Sequence, residues 1–351
     1  MMEATDVKLS IVIPIYNVAG LLPITIESIL CQKFTAFEIL LVDDGSWDDS
    51  FRVCQELASR DARIKVFRQE NRGVSAARNY GLRQAVGEYL YFMDADDLVH
   101  PQFSEIMMGA MVANAADMVC CEYRTFFRTP RYEHYSEYPV QDLRVKGREP
   151  FDELTAASCA TSMCNKIIRR ELFDRFDIRF REGMTFGEDM FVSWKCCLVA
   201  EKICLIPLPL YYYRQSGESA VSRYHADLYE VYKSSFEEIR DFVRTNCLQP
   251  IDFDKNYAIY FAQRLHAFLR MEVRAPYSVF RKIDRMRMIL DDPDMQAGLL
   301  LEPGNAPIYR YARRNRIFSM LWIGYRNRYK EYVKSRIKRF LNKNLKNRFA
   351  V

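Results

Sequence analysis

Tyr89-Leu90-Tyr91-Phe92-Met93-Asp94-Ala95-Asp96-Asp97 is the stretch on which the fold turns. An aromatic-rich apolar run of this length reads as a buried strand. It leads straight into three carboxylates, and like charges at the end of a buried strand repel and lose solvation. A divalent cation relieves that repulsion, and hard carboxylate oxygens suit magnesium or manganese. Alternation along an extended chain puts Asp94 and Asp96 on one side. Phosphate oxygens and water then complete an octahedral shell, so the expected ligand is a nucleotide diphosphate. The plainer alternative is a surface turn ahead of a helix with Pro101 in its first turn. A calcium loop is disfavoured, because no Gly follows at the required offset.

Working outward, Leu9–Ile15, Phe37–Val42, Arg63–Phe67 and Asp117–Tyr123 read as further strands. Helical spacing falls between them at Gly20–Gln32, from near Asp48, and at Val74–Val86. This alternation predicts a parallel sheet covered on both faces, with ligands at the C-terminal strand ends. Pro14-Ile15-Tyr16-Asn17, Asp43-Asp44-Gly45-Ser46 and Asp94-Ala95-Asp96 all fall at that edge. There a carboxylate can accept the N3–H of uracil, and Tyr16 can stack on the base. In Asn71–Gly81, Gly73 allows close backbone approach and Ser75 sits near a helix N-terminus, which favours anions. Arg78 lies a turn further on, within reach of a diphosphate.

Residues 128–150, with Pro130, Pro139 and Pro150, read as a long loop. Residues 151–225 are mixed, with short strands at Lys166–Ile168 and Leu210–Tyr213. Phe186-Gly187-Glu188-Asp189 opens a helix. Its two acids are either dipole partners or, for Asp189, a general base. In Tyr211-Tyr212-Tyr213-Arg214 the tyrosines suit strand packing, and Arg214 is a cation for a phosphate or for Asp189, with Ser219 adding a hydroxyl. From Tyr224 onward the pattern is helical.

The 351 residues, 49% apolar and 28% charged, suit one large or two ordinary soluble domains. Ten cysteines without Cys-x-x-Cys spacing, two pairs of them adjacent (Cys120-Cys121 and Cys196-Cys197), suit a core in a reducing compartment. Met1–Ser10 holds no apolar leader, and no run approaches the ~20 apolar residues of a membrane span. Four histidines, none at ligand spacing, argue against zinc. The net charge of +5 is uneven: residues 309–351 carry +13, leaving −8 on the rest. Tyr329, Val333, Ile337, Leu341 and Leu345 form an apolar stripe among those cations, behind the apolar patch Ile317–Tyr325. Basic amphipathic helices with Trp and Phe suit an anionic membrane surface. The alternative is a helix packed on the preceding domain, and no nucleic-acid motif appears.

The order of motifs SIVIPIYN (10–17), EILLVDDGSWDDS (38–50), NRGVSAARNYGL (71–82), GEYLYFMDADD (87–97), CNKIIRREL (164–172), FGEDMFVSWK (186–195) and LYYYRQSGES (210–219) resembles the family 2 glycosyltransferases. It is most similar to bacterial enzymes that build capsule, lipopolysaccharide O-chains or exopolysaccharide. The resemblance implies an α/β GT-A fold: a Rossmann-like mixed sheet with helices on both faces, followed here by an α-helical C-terminal region. The catalytic domain would span 1–225, with a nucleotide-binding half at 8–125 and an acceptor half at 126–225. Residues 226–351 would be helical, with the basic tail at 309–351.

The resemblance further implies an inverting, metal-dependent transfer from a UDP-sugar. Asp44 would bind uracil beside Tyr16. Asp96 would be the main metal ligand, with Asp94 assisting through Mg2+ or Mn2+ or the donor sugar, and Arg78 near the donor. Asp189 would be the base. Lys166 matches the family's Asn-Lys position without an assigned role. The acceptor would be a lipid-linked glycan at the inner face of the plasma membrane. No Gln-x-x-Arg-Trp element follows, so a processive synthase is not expected. A sugar-nucleotide pyrophosphorylase would carry a Gly-rich basic loop where Pro14-Ile15-Tyr16-Asn17 stands. A non-catalytic membrane scaffold would leave the carboxylates at 43, 44, 94, 96 and 189 scattered.

Overall fold

β1 (Leu9–Ile15), β2 (Phe37–Asp44), β3 (Ile64–Gln69) and β4 (Tyr89–Phe92) lie parallel in the spatial order β3-β2-β1-β4. They belong to a computed structural model that describes residues 7–127, 129–143, 162–184, 186–215, 225–246, 253–301 and 307–330. β1 and β2 are buried almost end to end, as a sheet covered on both faces requires. α1 (Leu22–Leu30), α2 (Ser50–Arg60) and α3 (Val74–Gln84) connect them. α3 comes unusually close to β1 at Gly81, where a Cβ would lie 2.4 Å from Val12 Cγ1. Only glycine permits that approach.

Beyond β4 the sheet becomes mixed. β8 (Lys166–Arg169) is antiparallel to β4 and to β6 (Met118–Phe126), and β6 runs parallel to β9 (Ile203–Arg214). β5 (Leu98–Val99) and β7 (Gln141–Leu143) pair antiparallel with β9, giving nine strands in one sheet. α4 (Phe103–Ala113), α5 (Arg170–Arg175) and α6 (Glu188–Val199) complete this part of the chain. Glycine again marks a special conformation at Gly187, the N-cap of α6, with φ +81°.

Four local expectations change. β9 is twelve residues long and not confined to Leu210–Tyr213. Pro207 and Pro209 mask it in the sequence, and register shifts at Cys121–Tyr123 of β6 absorb the irregularity. β7 lies in the stretch read as loop. Its polar Gln-Asp-Leu has no strand signature, and pairing with β9 alone makes it a strand. α4 starts at Phe103 with Gln102 as N-cap, so Pro101 precedes the helix. Asp94–Asp96 form a turn, closed by the Asp97 N–H donating to the Asp94 carbonyl at 3.3 Å, and not an extended segment.

The chain divides into two compact units, Met1–Ser222 with Glu238–Ile251, and Arg223–Glu237 with Asp252–Val351. The second is built from helices: α7 (Leu228–Thr245) in part, α8 (Phe253–Gln263), α9 (Leu265–Arg274), α10 (Val279–Asp291), α11 (Pro293–Leu301), α12 (Pro307–Ala312) and a helix over residues 317–330. Its core is aromatic, with Phe236 4.4 Å from Tyr257 between ring centroids and Phe261 5.5 Å from Phe268. Among the described residues, no helix is long and apolar enough to cross a membrane. Ser219 and the amphipathic stripe from Val333 to Leu345 lie outside the described residues.

Candidate active site

The loops after β1, β2 and β4 leave the sheet at the same edge and enclose a cleft of ≈ 760 Å³. Pro14, Tyr16, Asn17, Asp44, Asp94, Ala95 and Asp96 all line it. Tyr16 offers a ring 47% exposed. Asn17 has a left-handed backbone, φ +52°, a conformation Asn tolerates better than most residues. Its N–H donates to Ser46 Oγ at 3.0 Å, and its Oδ1 accepts from the Trp47 N–H at 3.0 Å. The Val18 N–H donates to Ser50 Oγ at 2.8 Å. The β1 loop is thereby fastened to the β2 loop.

Asp44 closes the cleft floor. Its Oδ1 accepts from Gln69 Nε2 at 2.8 Å and from the Arg72 N–H at 2.9 Å, and its Oδ2 accepts from the Gly73 N–H at 2.8 Å. Gly73, the N-cap of α3, holds φ +89°. The α3 N-terminus was expected to favour an anion, and Asp44 supplies that negative charge from within the chain. A carboxylate offers about four lone-pair sites, so one remains beyond the three used.

The second polar focus is Arg78, on α3. This buried guanidinium donates Nη2 to Asp94 Oδ1 at 2.9 Å, and Nη1 to Glu188 Oε1 at 2.9 Å and Asp189 Oδ1 at 2.6 Å. Burial opposes its charge, but the carboxylates of Asp189, Asp94 and Glu188 more than compensate and hold it protonated. The same burial pushes the Asp94 carboxyl up, against the pull of Arg78. Burial and the Asp189 charge push Glu188 up. Arg78 was expected near a diphosphate. Its charge is committed to three acids, and it ties Asp94 at the cleft to Asp189 at the start of α6. Asp189 Oδ2 also faces the Met163 N–H at 3.4 Å. Neither acid of the α6 start was anticipated as a partner of Arg78.

Other expected residues lie elsewhere. Asp43 is fully buried, and its Oδ2 accepts from Arg68 Nε at 3.1 Å and the Ser46 N–H at 3.3 Å, behind the cleft lining. Lys166 is buried, with Nζ donating to Asn165 Oδ1 at 3.2 Å, and does not line the cleft. The Ser75 hydroxyl is buried and has no partner among the described residues. Arg214 is not the cation of Asp189. It donates Nε to the Asp96 carbonyl at 2.6 Å, its N–H donates to Asp97 Oδ1 at 2.7 Å, and it lies over the Phe126 ring at 4.6 Å. Asp97 also accepts from the Tyr211 hydroxyl. Asp48, missed in the sequence, lines the cleft and accepts from the Ala19 N–H at 3.2 Å. A signal for it was present, since Asp two residues before Ser50 is a helix-start pattern.

The three acids of Asp94-Ala95-Asp96-Asp97 therefore have different surroundings. Asp97 is built into the strand packing, Asp94 shares Arg78, and no side chain among the described residues donates a hydrogen bond to the Asp96 carboxylate. Burial pushes Asp96 up, offset in part by its own N–H and by Arg214. Among the described residues no three His, Cys, Asp or Glu side chains converge as a closed metal cage. Asp96 with the second oxygen of Asp94 is a pair of hard donors at the cleft. That pair fits a magnesium-type ion, which keeps several ligands as water and phosphate oxygen.

A parallel half with its cleft at the strand ends, continued by a mixed half whose acidic helix start is tied to a cleft acid through Arg78, has the architecture of a GT-A glycosyltransferase. The profile of Glycosyl transferase family 2 matches residues 10–176. Glycosyltransferase GlyG of Streptococcus pneumoniae is 32% identical over 219 residues, covering 60% of this chain and 72% of that protein. Putative glycosyltransferase EpsH of Bacillus subtilis is 28% identical over 302 residues, covering 85% and 87%. The solved structure of Staphylococcus aureus TarS 1–349 in complex with UDP-GlcNAc shares the fold, with a TM-score of 0.70 at 22% identity over 92% of each chain. The chain belongs to glycosyl transferase family 2.

Proposed function

We propose that the cleft binds a UDP-sugar and that the enzyme transfers the sugar, with inversion, to an acceptor hydroxyl deprotonated by Asp189. One observation carries this reading: Arg78 joins Asp94, which lines the cleft, to Asp189. A donor-facing acid and an acceptor-facing acid thus sit one guanidinium apart. Asp44, held by three donors, keeps one lone pair for the uracil N3–H, and the exposed Tyr16 ring packs on the base. Asp96 and Asp94 would hold Mg2+ or Mn2+, which when bound neutralises the departing diphosphate. Asp189 keeps Oδ1 on Arg78 and takes the acceptor proton at Oδ2. As the acceptor oxygen bonds to the anomeric carbon, the bond from that carbon to the diphosphate breaks. A single displacement needs no covalent glycosyl-enzyme.

For the acceptor we propose a lipid-linked glycan of a cell-surface polysaccharide, met at the inner face of the plasma membrane. Phe318, Trp322 and Tyr329 support a membrane-facing surface. They are 71%, 69% and 68% exposed and share one face of the 317–330 helix, amid the +13 charge of residues 309–351.

The test is a screen of labelled UDP-sugars for hydrolysis or transfer, with Mg2+ or Mn2+ and with a chelator. Asp189→Asn is expected to cut transfer by about 10²–10⁴-fold, the range of general-base catalysis, with donor binding almost intact. Near-normal turnover would remove the base assignment. Failure to bind any nucleotide-sugar in the presence of either metal would remove the whole reading.

A further inference from the structure

The second unit holds a cavity of ≈ 330 Å³ between α9 and the 317–330 helix, and its wall is arginine. Arg264, Arg270 and Arg274 reach it from the α9 side and Arg328 from the other helix, with no carboxylate among the described lining residues. Gly324 explains how the helices approach there: a Cβ at this position would stand 2.6 Å from Val273 Cγ2. The acid of α9, Glu272, does not neutralise the cavity, because it is paired with Arg285 at 2.7 Å.

Two of the arginines have no acid partner among the described residues. Among the described residues neither Arg264 nor Arg270 forms an ion pair. Arg264 stacks on Tyr260 at 4.0 Å, and its Nε is buried with no acceptor among the described residues. A buried donor left unpaired costs roughly 1–3 kcal/mol, so proteins seldom keep one without a partner in view. Arg328 spends one N–H on the Val273 carbonyl at 3.1 Å and keeps others. Several guanidinia around one small cavity match the planar, forked recognition of phosphate oxygens.

We infer that this cavity is a phosphate-binding site, separate from the donor cleft and independent of the reading given to it. Its ligand is a phosphate group, borne by a soluble phosphate or by a lipid headgroup. On helical geometry, Gly324, Asn327 and Arg328 project about 80° or more away from the exposed Phe318, Trp322 and Tyr329. The cavity is therefore distinct from the aromatic face.

The test compares the full-length protein with Arg264→Gln/Arg270→Gln, and with Arg281→Gln/Arg287→Gln as a control that removes the same charge elsewhere in the unit. Inorganic phosphate is titrated by calorimetry in metal-free buffer, and vesicles of phosphatidylcholine with or without phosphatidylglycerol are floated at fixed salt. The cavity variant is expected to lose roughly tenfold or more in at least one arm, while the control stays near wild type. Loss in the phosphate arm assigns a soluble phosphate, and loss with phosphatidylglycerol vesicles assigns a lipid. Should circular dichroism show the double variant unfolded, Arg270→Gln alone, an exposed side chain, replaces it. Equal binding by wild type and the cavity variant in both arms overturns the site, as does binding of neither probe by wild type.

Discussion

The two sides of the candidate active site, proposed above for donor and acceptor, are held by different means. On the donor side, Asp44 is fixed largely by backbone, through the Arg72 and Gly73 N–H groups, and the β1 loop is sewn to the β2 loop by further backbone donors. On the acceptor side, Asp189 has a 2.6 Å bond to Arg78 and one long amide contact at 3.4 Å. Amides of a packed loop survive most side-chain changes, whereas a guanidinium is lost with one codon. The first side therefore keeps its amide donors through most side-chain changes, whereas the second depends on the Arg78 side chain.

Arg78→Met tests this dependence most severely. It strands Asp94, Glu188 and Asp189 around a site with no counter-charge. Breaking a buried ion pair from one side costs about 3–5 kcal/mol. Urea unfolding should register a loss of that size, with transfer abolished, while the folded fraction still binds UDP because the donors to Asp44 are untouched. A loss under about 1 kcal/mol, typical of an exposed pair, would break the contrast between the two sides. Gly73→Ala probes the other side. Its φ of +89° with ψ of +164° belongs to a region almost reserved for glycine, and a side chain there costs about 1–3 kcal/mol. Donor affinity should fall with it, because the Gly73 N–H orients Asp44. Unchanged donor affinity in a destabilised variant would mean that this loop does not organise the cleft.

Sequence periodicity carried the parallel half well. β1 to β4 and their connecting helices lie where strand–helix alternation put them, because β1, β2 and β4 are buried on both faces and advertise it, while β3, at the sheet edge, is only partly buried. The mixed half was less legible. β7 owes its strand form to β9, and prolines hide most of β9. The same division runs through the site. Pro14, Tyr16, Asn17, Asp44, Asp94, Ala95 and Asp96 stand on strand-end loops, whose place follows from topology, and all reach the cleft. Arg78, Arg214 and Lys166 are long side chains whose charges pair over distances that spacing does not reveal. Arg78 was expected near the donor, Arg214 at a phosphate or Asp189, and Lys166 had no assigned role; in the structure each has a partner within the chain. Three carboxylates at a strand end called for a counter-charge, and sequence alone could suggest a metal but not that a buried arginine shares the task.

Asp97 sharpens the comparison from the middle, since it adjoins both sides and lines neither. Burial, reinforced by the charges of Asp94 and Asp96, pushes its carboxyl from the ordinary 3.8 to about 8, against hydrogen bonds from Tyr211 and the Arg214 N–H. The unfolded chain gives up this proton near the ordinary value, and the folded chain keeps it. Between those values the folded state binds more protons, so this contribution to stability is complete below 3.8 and is lost as pH rises through about 8. Asp97→Asn keeps an oxygen acceptor and has no proton to lose. Thermal midpoints across that window should therefore fall for wild type and stay flatter for the variant. The effect should be smaller than at Arg78, because the packing of β9 survives the change. If the wild-type and variant profiles run parallel, Asp97 is ionised in the folded protein, and the repulsion among the three acids is relieved by something other than its proton.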